Sequence, residues 1–382
     1  MRCAFICSSL EQGRDGVGDH TLNQACEFQS LGHQVVCIAA HDKHLNQPGY
    51  TSSTVDISDQ SIKIYRFSSQ QSWHRKASLI RSTLQMFGPD WISFQYVGYG
   101  YHTYGLPMGL LWLLPLSGLA KWHIMIHETW LLLTPRWRDK VLSHLQKAFL
   151  HCFLIAFRPI LLTTSNQHYQ KMIAVLGFDS TILNIPSSIA LCSECMPNDI
   201  PADEWRFLFF GALPSSWDLK TFFGKIEDLR LRLGIRVCRF IIAGRTLVGP
   251  DQLLQALKAD AYPSFIFDYI GELEANDLSC LMQSVDYGIS KTPRSMIEKS
   301  AAVAAMRYHN LPVFIAVDEL KTKFDPTALP QQEDVFPLAS DYSKALSRPS
   351  RKEALTRYTQ DRFSPAHIAR LLLNLMESYG SR

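Results

Sequence analysis

The 382-residue sequence has no uninterrupted apolar run long enough to cross a membrane. Leu106–Ala120 is strongly apolar, but Pro107 and Pro115 interrupt it and Lys121 ends it. It falls short of the roughly 20 residues that a spanning helix needs. Ala148–Leu162 is broken by His151, Arg158 and Pro159. Both stretches read as buried helices, the alternative being one helix resting on a membrane surface. A dominant charge is lacking too. The net charge of +3 leaves no broad footprint for nucleic acid, although a local anionic ligand stays open. The N-terminus shows no long apolar core with a small-residue cleavage site, which argues against a signal peptide. No internal repeat is evident.

Cysteine is present without a framework. Nine cysteines are scattered, and Cys3, Cys7, Cys37, Cys152 and Cys238 lie in apolar runs. They read as small core residues in a reducing compartment rather than as disulfide partners. Cys192-Ser-Glu-Cys195 is the one CxxC, and neither a second pair nor a His pair accompanies it. Spacing rules therefore argue against a zinc or redox role there.

What is present is globular: 47% hydrophobic and 19% charged residues, in a chain long enough for two domains. Met1–Ser8 reads as a buried parallel strand. Gly13-Arg14-Asp15-Gly16-Val17-Gly18-Asp19 follows it, then a helix over about 19–31 stopped by Gly32, then a strand over Gln34–Ala40. This is the rhythm of a doubly wound sheet. Strands at 62–67, 90–96, 123–127 and 160–164 alternate with helices at 73–87 and 135–157. After a polar, turn-rich linker around Pro186–Asp203 the rhythm repeats. Strands fall at 206–210, 237–243, 265–269, 286–290 and 312–316, with helices at 219–232, 252–257 and 276–283. An amphipathic helix over 364–378 closes the chain.

A second junction, this one without glycine, Thr292-Pro293-Arg294-Ser295-Met296-Ile297-Glu298-Lys299-Ser300, follows a strand and opens a helix. Each junction is of the kind that presents N–H groups and a helix dipole to an anion. No Asp-x-Asp metal motif lies near either.

The arrangement resembles the GT-B-fold glycosyltransferases, especially the retaining group that uses nucleotide-sugar donors. The resemblance rests on the Gly16/Gly18 loop, Leu31-Gly32-His33-Gln34-Val35, His127-Glu128 at a strand end and Thr164-Ser165-Asn166. It continues through Phe210-Gly211, Ala243-Gly244-Arg245, Ile270-Gly271-Glu272-Leu273, Asp286-Tyr287-Gly288 and Asn310-Leu311-Pro312-Val313. It implies an α/β chain of two Rossmann-like, doubly wound parallel-sheet domains facing each other across a cleft. The N-terminal, acceptor-side domain would span 1–185, with helix 364–382 packing back on it. A linker over 186–204 and a donor-binding domain over 205–363 would follow. Two departures stand out. The second carboxylate of the family's Glu-x7-Glu falls at about Ala305, and no Arg follows Gly211, where Ala212-Leu213-Pro214 stand.

The resemblance implies a cytoplasmic hexosyltransferase acting on a nucleotide-sugar co-substrate without metal or other cofactor. The acceptor would be a sugar, a glycan or a lipid-linked molecule, with peripheral membrane contact open and no nucleic acid involved. The donor set would be Gly16, Gly18, Gly211, Arg245, Gly271, Glu272, Leu273, Arg294, Ser295, Met296, Ile297, Lys299 and Ser300. A helix starting near Met296 would face the departing pyrophosphate, with Lys299 as the nearest fixed cation. Glu298 stands in for the missing carboxylate, although beside Lys299 it also suits a surface pair. His127 and Glu128 would face the sugar ring. Asp19, Tyr99, Tyr101 and His102 fall on the acceptor side. Asp19 and Asp15 read equally as helix caps, and the tyrosine loop reads equally as packing. A catalytically weakened nucleotide-sugar-binding partner and a nucleotide-sugar epimerase are the competing readings.

Overall fold

A computed structural model describes residues 1–57, 60–131, 136–195, 201–211, 219–246, 249–318, 334–340, 342 and 362–380. Pro135, Pro197 and the three residues after Gly211 lie outside them. The chain divides into two compact units, Met1–Asn184 with Pro365–Arg382, and Ile185–Ser364.

The first unit holds an eight-stranded sheet, built from β1 (Arg2–Cys7), β2 (Gln34–Asp42), β3 (Tyr50–Ile57), β4 (Gln60–Ser68), β5 (Trp91–Tyr96), β6 (Lys121–Ile126), β7 (Leu161–Thr164) and β8 (Thr181–Ile182). Their order is β3-β4-β2-β1-β5-β6-β7-β8. β1 is central and paired in parallel on both sides, which is why it is a continuous apolar run. β3 is the exception, an antiparallel partner of β4 with almost every residue exposed. The helices are α1 (Gly16–Ser30), α2 (Trp73–Phe87), the single turn α3 (Gly98–Tyr101), α4 (Trp137–Phe157) and α5 (Gln167–Ala174). α1 buries Leu22, Ala25, Cys26 and Phe28, and Phe28 meets Phe5 edge-on at 5.2 Å. The apolar stretch around Leu106–Ala120 contains a 3-10 helix, Met108–Leu116, that buries Leu110, Leu113 and Leu116. Among the described residues no helix is long and apolar enough to cross a membrane.

The second unit holds six parallel strands, β9 (Glu204–Phe210), β10 (Val237–Ala243), β11 (Phe265–Gly271), β12 (Tyr287–Ser290), β13 (Val313–Ile315) and β14 (Val335–Phe336). Their order is β11-β10-β9-β12-β13-β14. One aromatic ring per strand runs across the sheet: Phe267, Phe240, Phe207, Tyr287, Phe314 and Phe336, with neighbouring centroids between 4.7 and 5.7 Å. Offset and tilted pairs at this spacing add to the area they bury. Helices α6 (Lys220–Arg232), α7 (Pro250–Ala259), α8 (Ala275–Ser284) and α9 (Ala301–Tyr308) connect the strands. Arg307 of α9 is buried and grips Asp334 through Nε at 2.5 Å and a second nitrogen at 2.8 Å. The last helix, α10 (Pro365–Gly380), belongs to the first unit and packs on α1.

Two expectations are corrected. Cys195 and Cys280 form a disulfide, so the cysteines are not all reduced core residues. The partners stand 85 residues apart, beyond the reach of any spacing rule. Cys152, read as a core residue, is exposed on α4.

Candidate functional site

In open α/β sheets ligands gather outside the C-terminal strand ends, where strand order reverses. In the first unit that point lies between β1 and β5. The loop after β1 is held by Asp42 at the end of β2, a fully buried carboxylate. Ser9 Oγ donates to it at 3.1 Å, Leu10 N at 3.2 Å, His44 N at 2.9 Å and Arg66 Nε at 2.7 Å. Burial raises the Asp42 pKa, but the Arg66 and backbone bonds outweigh it and hold the group below the ordinary carboxylate value.

The start of α1 differs from the expectation. The helix begins at Gly16, and its N-cap is Asp15 rather than Asp19. Asp15 Oδ1 accepts from Val17 N at 2.9 Å and Gly18 N at 3.1 Å. Asp19 instead accepts from Gly13 N at 2.9 Å and closes the loop. A carboxylate therefore already sits where an anion would bind, which corrects the reading of this junction as a phosphate cradle. The glycines also separate. A Cβ on Gly18 would stand 2.4 Å from Ser9 O, whereas one on Gly16 would meet nothing within 4 Å.

His127 follows β6 and is buried. Its Nε2–H donates to Gln95 Oε1 at 2.8 Å. The Gln95 amide donates to Ser93 Oγ at 2.9 Å, and Ser93 Oγ bonds His123 Nδ1 at 2.9 Å. His123 Nε2 bonds Thr163 Oγ1 at 2.8 Å. This buried chain crosses β5, β6 and β7 and orients the His127 ring, which also meets His20 edge-on at 5.1 Å. Burial, reinforced by His20 and His123, depresses the His127 pKa well below the ordinary value. His127 is thus a neutral hydrogen-bonding group at neutral pH. Glu128 beside it is half-buried.

The tyrosine loop divides. Tyr101 is a core residue stacked on Phe94 at 5.7 Å, which removes it from the acceptor side. Tyr99 OH accepts from Gln146 Nε2 at 2.8 Å, tying the loop to α4. His102 is exposed. One cluster had no sequence signal. Lys76 on α2 is fully buried, its Nζ donates to His41 Nδ1 at 2.8 Å and lies 3.9 Å from the Trp73 ring centroid. Burial lowers Lys76 to about 8, and burial with Lys76 beside it lowers His41 to about 4.

In the second unit strand order reverses between β9 and β12. β9, β10 and β11 all end at glycines with left-handed backbone: Gly211 (φ 98°), Gly244 (φ 128°) and Gly271 (φ 74°). Gly211 N donates to Ala243 O at 3.1 Å, and Gly244 N to Gly271 O at 2.7 Å. A Cβ on Gly244 would fall 2.6 Å from Gly211 O, while one on Gly211 would reach Ala302 Cβ at 3.8 Å. Three stacked turns thus bring Gly211 against the first turn of α9. Arg245 and Glu272 flank this row and pair with each other at 2.8 Å, both well exposed.

The helix expected from Met296 starts later. Arg294–Lys299 is a 3-10 helix, and α9 begins at Ala301 with Ser300 as N-cap, its Oγ accepting from Val303 N at 3.3 Å. Ser295, Met296 and Ile297 are buried, and Ile297 packs in the core. Glu298 faces Arg362 at 3.8 Å. Lys299 and Arg294 are half-buried, and Leu273 packs partly on the core. Lys291, directly after β12, is a cation that motif reading passed over, and desolvation lowers its ammonium pKa. Ala305 is wholly buried, so a carboxylate at that position would sit in the core.

No family model matches the sequence, and no curated protein matches it. Solved structures match over the full length. One is the UDP-forming α,α-trehalose-phosphate synthase from Burkholderia xenovorans in complex with glucose-6-phosphate, with TM-score 0.57 at 10% identity, covering 99% of both chains. The catalytic domain of starch synthase IV from Arabidopsis thaliana, bound to ADP and acarbose, matches with TM-score 0.53 at 10% identity, covering 100% of this chain and 99% of that one. UDP-GlcNAc 2-epimerase from Neisseria meningitidis, bound to UDP-GlcNAc, matches with TM-score 0.53 at 10% identity, covering 99% of this chain and all of the other. The two parallel-sheet α/β units are those of the GT-B fold.

Proposed function

We propose that the chain is a glycosyltransferase that moves a hexose from a nucleotide-sugar donor to a sugar, glycan or lipid-linked acceptor, with retention and without a metal ion. The observation that carries this reading is the row of left-handed glycines, Gly211, Gly244 and Gly271, set against the first turn of α9 at the switch point of the second unit. Such turns let a ligand approach the backbone closely. The departing nucleoside diphosphate gathers negative charge, which oriented N–H groups and cations stabilise. Lys299 and Arg294 follow β12 and supply the cations. Arg245, once drawn from Glu272, adds a bidentate contact. Glu272 and Leu273 border the base, and Glu298 receives donor hydroxyls. His127, held neutral, hydrogen-bonds the sugar ring, with Glu128 beside it. Asp19, Tyr99 and His102 line the acceptor side through the loops they hold.

A lipid-linked acceptor has support in α4. Trp137, Val141 and Leu145 are exposed at helical spacing, with Arg138 and Lys140 alongside. This is the composition of an interfacial helix. Flotation with anionic vesicles, lost in a Trp137→Glu, Leu145→Glu double variant, tests it.

Calorimetry against UDP, GDP, ADP and TDP without added metal tests the main reading. One nucleotide binds in the micromolar range, and Lys299→Ala weakens it by about 1.5–3 kcal/mol. Absence of binding to all four refutes the proposal. The epimerase reading has the Neisseria likeness in its favour. Chromatography of UDP-GlcNAc incubated without acceptor decides between them, since only an epimerase changes the sugar. Nucleotide binding without any turnover would leave a binding partner.

A further inference from the structure

A cluster of three sulfurs in the second unit takes no part in the chemistry above. Cys192 and Cys195 lie in the segment before β9, and Cys280 lies on α8. Cys195 and Cys280 are bonded, Cys192 is a free thiol, and the three Sγ atoms lie within 4.8 Å of one another. All three residues are half-buried, so a cation in solution reaches them.

Bonds other than the disulfide hold the cluster together. Cys192 N donates to Ser279 Oγ at 2.9 Å, and Gln283 Nε2 donates to Cys192 O at 3.0 Å and to Cys195 Sγ at 3.3 Å. Ser279 Oγ is fixed in turn by His309 Nε2 at 2.8 Å. Opening the S–S bond therefore leaves the segment docked on α8, with three thiols converging.

We propose that Cys192, Cys195 and Cys280, once reduced, form a zinc site, with the fourth position taken by water. A tetrahedral site with Zn–S of about 2.3 Å sets its sulfurs roughly 3.8 Å apart, a spacing side-chain rotation reaches within this cluster. Thiolates are soft ligands that select zinc over magnesium or calcium. The third sulfur, which no spacing rule supplies, is brought to the CxxC pair by the fold, and three protein ligands with an open fourth position is a set zinc accepts. The Gln283 amide, already donating to Cys195 Sγ, is the outer contact that orients a ligand. A phosphine or dithiol supplies the two electrons that open the disulfide, and two protons complete the thiols. Zinc then displaces the three thiol protons, so its affinity falls on acidification. Because α8 starts just after Gly271-Glu272-Leu273, zinc or disulfide fixes that helix to the segment before β9.

The test uses the full chain reduced with a phosphine under inert gas. Titratable thiols in the denatured protein rise from seven to nine. Cobalt(II) then gives a thiolate charge-transfer absorption that saturates at one equivalent, and zinc abolishes it. Cys192→Ser, Cys195→Ser and Cys280→Ser each lower zinc affinity by more than about tenfold in competition with a chromophoric chelator. Cys192→Ser retains the disulfide, so an unchanged melting curve of its oxidised form shows that the fold is intact. Lack of the absorption, its survival in Cys192→Ser, or a disulfide that resists reduction in the folded chain each overturns the proposal.

Discussion

The two glycines at the start of α1 make opposite demands, and substituting each by alanine separates packing from ligand access. A Cβ on Gly18 would lie 2.4 Å from Ser9 O and 3.3 Å from Ser9 C. Both obstacles are backbone, so neither a rotamer change nor a flexible side-chain tip relieves the clash. The loop would have to move by several tenths of an ångström, against the Asp42 bonds that pin Ser9 and Leu10. Forced overpacking of this kind costs about 1–3 kcal/mol. Higher helix propensity returns at most about 1 kcal/mol of that. Gly16 faces open space, and Gly16→Ala instead gains about 0.4–1 kcal/mol by restricting the unfolded chain. For a unit of this size each kcal/mol moves the midpoint by roughly 2–4 °C. Gly18→Ala therefore melts several degrees below Gly16→Ala when followed by near-ultraviolet circular dichroism. Equal melting temperatures for the two variants would refute the packing role of Gly18.

Acid should weaken the first unit. His20 and His41 are held near 4 by burial, His123 near 3, and His127 well below the ordinary histidine value. Above pH 6.5 these rings are neutral whether the chain is folded or not, so stability is fully present there. As pH falls toward 4 the unfolded chain takes up protons that the folded chain refuses, which removes about 1.4 kcal/mol per pH unit for each ring. Urea midpoints measured at pH 7, 6 and 5 by tryptophan fluorescence should drop steeply, and a flat profile contradicts the burial of these rings. Lys76 acts at the other end of the scale. Its depressed pKa of about 8 makes stability rise between pH 8 and the unfolded lysine value of 10.5. Lys76→Met should abolish that rise and be more stable than the parent at pH 7. Asp334→Asn strands the buried Arg307 guanidinium and should cost about 3–5 kcal/mol in denaturant unfolding of the second unit.

Much of the architecture was legible because buried parallel strands announce themselves. β1, β9 and β10 are short apolar runs stopped by polar or glycine residues, and their positions needed no partner to be read. β3 escaped for the opposite reason: Tyr-Thr-Ser-Ser-Thr-Val-Asp-Ile is exposed on both faces and shows no apolar alternation. The site was less legible, because its decisive contacts run across strands. Nothing local to His127 points to Gln95, Ser93, His123 and Thr163, which meet it only through the registers of β5, β6 and β7. Lys76 reads as a solvent residue of an amphipathic helix until His41 and Trp73 are seen to enclose it. Cys280 is likewise an isolated cysteine in an unremarkable helix until α8 is laid beside residues 192–195.

The two strand–loop–helix junctions look equivalent as sequence and are electrostatically opposite as structure. α1 is capped by a carboxylate, so its N-terminal N–H groups and its dipole are already answered by the negative charge of Asp15. α9 is capped by the neutral hydroxyl of Ser300, with Lys299 directly before it. A helix terminus favours an anion only while no charge of that sign is already there. At the first junction the dipole is already offset by a carboxylate, and at the second it is not. If a nucleoside diphosphate binds this chain, its charge belongs with the second unit.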